Sequence, residues 1–263
     1  MNPNVKTINE VPIILTAFGT TAGAFTTYRK MDAVFRAAFP QNPMHWAFSS
    51  RMVKHAVKKK RASELKDPLE IMEMLADQGY GWAVVQSLHM ICGHEFDRLT
   101  AGRDHTRLRS SMGLPLLTSP GDYVRTAGAL SALMPESGQE AVILVGHGTD
   151  HPAWSAYPSF EAVLRESYGN RIFVGVVEGY PGFEKTLARV VKAGYREVCM
   201  VPLMLVAGVH FREDLTGGEA SWKVVFEKAG LRVRLMEGGI GELDGITRIF
   251  CGHIQEALDV IPL

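Results

Sequence analysis

Residues 141–150 read AVILVGHGTD, and residues 12–21 read PIILTAFGTT, 129 positions earlier. Each stretch is a run of apolar residues that ends in a polar turn containing glycine and threonine. Such a run is typical of a strand buried on both faces, followed by a turn. Because the pattern occurs twice, the sequence predicts a fold made of two similar halves.

A second repeated block supports this interpretation. Residues 79–88, GYGWAVVQSL, match residues 194–203, GYREVCMVPL, 115 positions later. A helical apolar pattern precedes each block, at 69–76 and 183–191. Helix, glycine cap and buried strand in this order are the connection expected in parallel α/β folds.

The predicted fold class is α/β, with two similar Rossmann-like lobes that each contain a doubly wound parallel sheet. A Gly- and Pro-containing region around residues 125–140 marks the break, so we expect an amino-terminal lobe over 1–130 and a carboxyl-terminal lobe over 131–263. Further elements are predicted as strands at 45–50, 171–178 and 231–236 and as a helix at about 245–261.

Composition narrows the function classes. Lys plus Arg and Asp plus Glu number 28 each, so the charge balance favours neither nucleic acid nor a membrane surface as partner. The longest apolar run, about 198–209, is too short to span a bilayer. Three cysteines without a CxxC pair predict reduced thiols, and the amino terminus lacks the order of a signal peptide, so we expect a cytoplasmic protein. The apolar content would allow a homo-oligomer.

Chemistry is expected at the strand ends, because ligands of open parallel sheets bind beyond the carboxyl ends of the strands. The residues at or after the first, second and third strands of the two halves are Phe18 and His147, Ser50 and Glu178, and Glu95 and His210. Two imidazoles and one or two carboxylates suit a divalent Zn, Co, Ni or Fe ion. The same groups also accept protons near neutral pH. No P-loop, GxGxxG or GxSxG motif is present, and a nucleotide-driven or hydride-transfer enzyme is therefore disfavoured.

Each candidate also has a structural alternative. His147 could cap a turn, although its flanking glycines allow a ligand close to the backbone. Glu178 could simply end a strand in solvent, His210 could pair with a neighbouring acid, and Glu95 could serve as the surface acid of a helix start. His89 lies in an apolar strand, which favours a buried structural role.

A basic segment at 51–61 follows the second strand of the first half. It is either a solvated helix face or a charged mouth of the site that attracts a polycarboxylate, with Arg51 as the best candidate for a bidentate contact. For His94, His105 and His151 the sequence favours surface positions over a role near the metal.

Five motifs then occur in order: LTAFGT at 15–20, SLH followed by GHEF at 87–96, VGHGT at 145–149, VEG at 177–179 and GVHFRED at 208–214. In this order they resemble the CbiK-type anaerobic sirohydrochlorin cobaltochelatases of the class II chelatase superfamily, over nearly the whole chain.

The resemblance implies ATP-independent insertion of Co²⁺ into sirohydrochlorin, a tetrapyrrole of cobalamin biosynthesis, in a cleft between the lobes. The implied reaction requires no cofactor, and Co²⁺ is one of its substrates. Its implied catalytic residues are His147, His210 and Glu95, and its implied metal ligands are His147, Glu178 and His210. We expect the substrate at a further set of positions: Phe18, Gly19, Thr20, Ser50, Arg51, His89 and Gly148.

Two alternatives stay open on the residues alone. A two-lobed protein could store or carry a tetrapyrrole or a metal without turnover. A ferrochelatase or nickelochelatase could act on the same macrocycle, because His and Glu ligands follow the general affinity order of divalent ions and do not select Co²⁺.

Overall fold

A computed structural model describes residues 10–19, 25–49, 66–103, 107–135 and 138–262. The chain divides into two compact units. The first comprises Met1–Thr118 together with Asp244–Leu263, and the second comprises Ser119–Leu243.

The first unit holds a parallel sheet of four strands in the order β2-β1-β3-β4, flanked by helices. Its described elements are β1 (Ile13–Ala17), α1 (Phe25–Ala38), β2 (Met44–Phe48), α2 (Pro68–Asp77), β3 (Trp82–Ser87), α3 (His94–Arg103), β4 (Arg109–Gly113) and α9 (Asp244–Asp259). Asp67 and Glu70 form a reciprocal capping box at the start of α2, which fixes where this helix begins.

The second unit holds a parallel sheet with the equivalent order β6-β5-β7-β8. Its main elements are α4 (Pro120–Ala129), β5 (Ala141–Gly148), α5 (Ala156–Tyr168), β6 (Ile172–Glu178), α6 (Phe183–Lys192), β7 (Glu197–Pro202), α7 (Val209–Thr216), α8 (Trp222–Lys228) and β8 (Arg232–Leu235). The predicted class, two α/β lobes with parallel sheets, is confirmed.

Strand pairing gives the repeat an exact register. Ile13 of β1 pairs with Met44 and Val84, whereas Val142 of β5 pairs with Ile172 and Cys199. These partners reproduce the sequence offsets of 129 between β1 and β5 and 115 between β3 and β7. They also relate β4 to β8, because Val84 pairs with Ser111 and Cys199 with Arg234. The equivalence of strand ends therefore has a structural basis.

The division of the chain differs from the predicted boundary between 1–130 and 131–263. Helix α4 lies in the second unit, and α9 returns to the first, where it packs against β3, β4 and α1. Its buried side includes Phe250, Ile254 and His253, whose Nδ1 lies 2.9 Å from the carbonyl oxygen of Leu114. An amphipathic helix covers whichever apolar sheet face it reaches, so its sequence does not reveal its sheet.

A compact core holds each sheet against its helices. In the second unit, Ile143, Val145 and Phe173 pack with Trp222 and Phe226, the last of which is fully buried. In the first unit, Ile14 and Val85 belong to a cluster with Ile71 and Leu75 of α2. These cores fix the strands whose ends carry the candidate site. In the described ranges no helix is long and apolar enough to cross a membrane.

Candidate active site

Two predicted residues lie at neighbouring strand ends of the second unit. His147 is the penultimate residue of β5, and Glu178 is the last residue of β6. The register pairs Gly148 with Glu178, and both His147 and Glu178 are exposed. An imidazole and a carboxylate therefore meet solvent at the same edge of one sheet.

Glycines bring these two strand ends into close contact. Gly148 has a φ of +90°, and a Cβ there would overlap the carbonyl oxygen of Glu178. A Cβ on Gly179 would lie 2.9 Å from the carbonyl oxygen of Thr149. No larger residue fits at Gly148 without moving the backbone, so the turns after β5 and β6 are built as one unit.

The backbone of Gly148 also contacts the neighbouring imidazole. Nδ1 of His147 lies 3.3 Å from the carbonyl oxygen of Gly148. A carbonyl oxygen only accepts, so this contact favours the tautomer with its proton on Nδ1 and leaves the Nε2 lone pair for a proton or a metal. The amide of Gly148 in turn donates to the hydroxyl of Tyr157 over 3.2 Å.

The contact with tyrosine occurs in both units and was not predicted. Tyr28 forms a hydrogen bond with the backbone of Gly19, as Tyr157 does with Gly148. Burial raises the pKa of both phenols, that of Tyr28 to about 12, so both stay protonated at neutral pH. The sequence does contain the signal, since each tyrosine follows its glycine by nine residues and the pair repeats at the same offset of 129.

The residues after the third strands occupy equivalent positions. Glu95 is the second residue of α3, and His210 is the second residue of α7, 115 positions later. Glu95 accepts from Nη1 of Arg98 over 2.6 Å, and a quarter of its side chain is exposed. The side chain of His210 lies outside the described part of the structure, so its backbone position alone is known.

The remaining substrate candidates of the first unit divide into two groups. Phe18, the counterpart of His147, is 49% exposed, and Gly19 has a φ of +100°. Thr20, Ser50 and Arg51 lie outside the described residues, as does the rest of the basic segment 51–61.

His89 is placed as a structural histidine. Its Nδ1 lies 2.8 Å from the hydroxyl oxygen of Ser87, and its Nε2 is shielded from solvent with no hydrogen-bond partner among the described residues. Burial lowers the pKa of His89 to about 4, against a smaller opposing effect of Glu95. The imidazole is therefore neutral at neutral pH.

Two other histidines start helices. Nδ1 of His151 accepts from the amide of Ala153 over 3.1 Å and caps a short 3-10 helix, Pro152–Ser155. His94 is the first residue of α3, and His105 lies outside the described residues. Within the described side chains, no three His, Cys, Asp or Glu residues lie close enough together to hold a metal ion.

The two-lobed α/β fold resembles that of chelatases of known structure. SirB from Bacillus subtilis with Fe³⁺ has a TM-score of 0.64 at 15% identity, with 94% of this chain and 95% of that one covered. A complex of the SirB chelatase from Bacillus subtilis subspecies spizizenii with cobalt gives 0.63 at 14% identity, with 95% and 96% covered. At such low identity the likeness concerns the fold alone.

Sequence comparison is more specific. The family model for cobalt chelatase (CbiK) matches residues 12–259, and the chain belongs to this family. It is 33% identical over 261 residues to the sirohydrochlorin cobaltochelatase CbiKC of Nitratidesulfovibrio vulgaris, with 95% of this chain and 91% of the relative covered. It is also 33% identical over 230 residues to the sirohydrochlorin cobaltochelatase of Salmonella typhimurium, with 85% and 86% covered.

Proposed function

We propose that this protein inserts Co²⁺ into sirohydrochlorin without ATP. The observation that carries the proposal is membership of the cobalt chelatase family over residues 12–259, together with relatives named sirohydrochlorin cobaltochelatase that match over most of their length. The exposed imidazole and carboxylate at the paired ends of β5 and β6 support it, because metal insertion needs both donors and bases.

The chemistry assigns a role to each group. Two pyrrole N–H protons leave as the metal enters, so the site needs a proton acceptor beside the macrocycle. We assign this role to His147, whose Nδ1 contact leaves Nε2 as the acceptor. Glu178 and His210 would hold Co²⁺ and hand it to the macrocycle, since carboxylate and imidazole both bind divalent Co.

Glu95 would take the proton onward from the site. Its partner Arg98 is a largely exposed side chain, so the carboxylate can change partner without leaving a buried charge unpaired. Sirohydrochlorin would contact Phe18, Gly19 and Gly148 at the first strand ends. Thr20, Ser50 and Arg51 complete the proposed substrate positions, and His89 is not among them because its Nε2 is shielded from solvent.

The test is an anaerobic assay with purified protein, sirohydrochlorin and Co²⁺, with Fe²⁺ and Ni²⁺ in parallel reactions. Metal insertion changes the absorbance spectrum of the macrocycle, so turnover can be followed directly. We expect multiple turnovers, fastest with Co²⁺. A stoichiometric spectral shift without turnover would instead indicate a carrier, and faster turnover with Fe²⁺ or Ni²⁺ would change the assigned metal.

A further inference from the structure

Two large aromatic side chains are exposed at the carboxyl edge of the second sheet. Trp154, in the short helix after β5, is 39% exposed, and Tyr180, two residues after Glu178, is 48% exposed. Their rings contact each other edge to face, with centroids 5.6 Å apart. The turns that carry them are the same two that Gly179 and Thr149 hold together. The aromatic pair therefore shares its backbone support with His147 and Glu178.

A cation lies against this pair. The ammonium of Lys185 lies 5.7 Å from the centroid of the Tyr180 ring. Lys185 is exposed, and among the described residues no carboxylate lies within ion-pair distance of its ammonium.

The position of Lys185 is unfavourable for the helix itself. It is the third residue of α6, and a positive charge in the first turn opposes the helix dipole. The residue before the helix, Gly182, offers no side-chain cap, so the first amides of α6 lack a side-chain acceptor. The first turn also carries the exposed carboxylate of Glu184, so an anionic group would be held by the ammonium of Lys185 and the uncapped amides against this one negative charge.

The combination matches one kind of ligand. Exposed aromatic rings suit a flat conjugated macrocycle, and a lysine beside a helix start suits a carboxylate on its periphery. We propose that Trp154 and Tyr180 pack against an outer ring of the tetrapyrrole, and that Lys185 with the first turn of α6 binds one of its peripheral carboxylates. This subsite rests on the proposed function, since it takes the same macrocycle and orients it relative to Glu178.

The test compares substrate binding with turnover. Trp154→Ala, Tyr180→Ala and Lys185→Gln are titrated with metal-free sirohydrochlorin under anaerobic conditions, and kcat and KM are measured with Co²⁺. We expect each aromatic truncation to raise the Kd for sirohydrochlorin roughly 10-fold, as loss of one stacking partner does. Lys185→Gln should raise the Kd several-fold at low salt and flatten its salt dependence, because a screened charge contact is lost. The KM for Co²⁺ should stay near the wild-type value, because none of the three side chains is a proposed metal ligand.

Matched controls separate a binding role from a structural one. Lys192→Gln removes a charge from the other end of α6 and should leave the Kd unchanged. Trp154→Phe and Tyr180→Phe keep a ring and should restore much of the affinity. Thermal unfolding identifies any variant that fails to fold, and the phenylalanine variants then decide. An unchanged Kd for sirohydrochlorin in Trp154→Ala, Tyr180→Ala and Lys185→Gln would overturn the subsite. This holds also where a variant changes the sedimentation coefficient of the protein but not the Kd.

The outcomes also separate this inference from the proposed function. If the wild-type protein turns over and the variants bind sirohydrochlorin equally tightly, the subsite is refuted and the proposed chelatase function stands. If the wild-type protein binds sirohydrochlorin without turnover and the variants bind it more weakly, the chelatase function is refuted and the subsite stands. Absence of sirohydrochlorin binding by the wild-type protein would remove both.

Discussion

The second unit carries His147 at the end of its first strand, β5. At the equivalent position after β1, the first unit carries Phe18. At the start of the helix after the third strand the second unit carries His210, and the first carries Glu95. The surrounding backbone is otherwise repeated. In both units a tyrosine contacts the glycine that follows these residues, Tyr28 with Gly19 and Tyr157 with Gly148. The difference teaches that the repeat supplies the scaffold, whereas in the proposed function single side chains at equivalent strand ends would supply the chemistry.

The largest effect should come from the first pair of equivalent residues. We expect His147→Ala to lower kcat by about 10²–10⁴-fold, the range that loss of a general base causes. Phe18→Ala should instead act mainly on the KM for sirohydrochlorin, because a phenyl ring accepts no proton. Steady-state kinetics of both variants, with a titration of metal-free sirohydrochlorin, measure the contrast. Retained turnover in His147→Ala would remove this residue from the mechanism.

The second pair distinguishes metal binding from proton transfer. His210→Ala should raise the KM for Co²⁺ by at least roughly 10–100-fold. Loss of a residue that only supports a metal ligand already has an effect of this size. Glu95→Gln should lower kcat with little change in the KM for Co²⁺, because its proposed role is to move a proton. Equal effects of the two variants on both constants would contradict this division of roles.

A third contrast concerns stability, at His89 and its counterpart Met204. The pKa of His89 is lowered to about 4 in the folded protein, against an ordinary value near 6.5. The unfolded chain therefore takes up a proton first as the pH falls, and stability is lost between about pH 6.5 and pH 4. In His89→Met this loss should shrink by on the order of 1–3 kcal/mol.

Urea denaturation at several pH values measures the effect of His89→Met. The pKa of His45 is also lowered, by burial and by the positive charges of Arg36 and Lys66. His45→Gln is therefore the matched control, and it should remove a separate part of the dependence of the unfolding free energy on pH. Identical pH profiles of the wild-type protein and His89→Met would refute a neutral buried His89.

The smallest effect should come from the two tyrosines, where the units are alike. Tyr157→Phe and Tyr28→Phe each remove a hydroxyl that contacts a glycine backbone, and each should cost about 1 kcal/mol of unfolding free energy. Only Tyr157→Phe should also lower kcat, since Gly148 adjoins His147. The two free energies come from urea denaturation and the kinetic effect from the cobalt assay. A similar loss of kcat in Tyr28→Phe would show that the units do not differ in this respect.

Much of this frame could be predicted from the sequence. Strands β1 and β5 are largely apolar runs whose repeat at 129 positions is visible directly, and the pairing register reproduces it. Strand β4, with the sequence RSSMG, was not predicted because it is a half-exposed edge strand without an apolar run. Its equivalence with β8 became visible only through the pairing with β3.

The candidate site was predictable in its positions and less so in its supports. The strand-end positions of His147 and Glu178 could be predicted because each residue lies at the end of a buried apolar run. Tyr157 could not be predicted in this way, because it follows Gly148 by nine residues and acts through a backbone amide rather than through a strand end. The exposure of Trp154 likewise depends on how the turn folds, which its local sequence does not specify.

The return of α9 to the first unit has a consequence for the order in which the protein is made. The second unit, Ser119–Leu243, is continuous in the chain and can close its core as soon as it leaves the ribosome. The first unit is synthesised earlier, and α2 packs on one face of β3, yet the face of β3 and β4 that α9 covers stays open until that helix has been translated. The unit whose synthesis begins first is therefore completed second. A ribosome stalled before α9 would carry a complete second unit and a first sheet with one face uncovered.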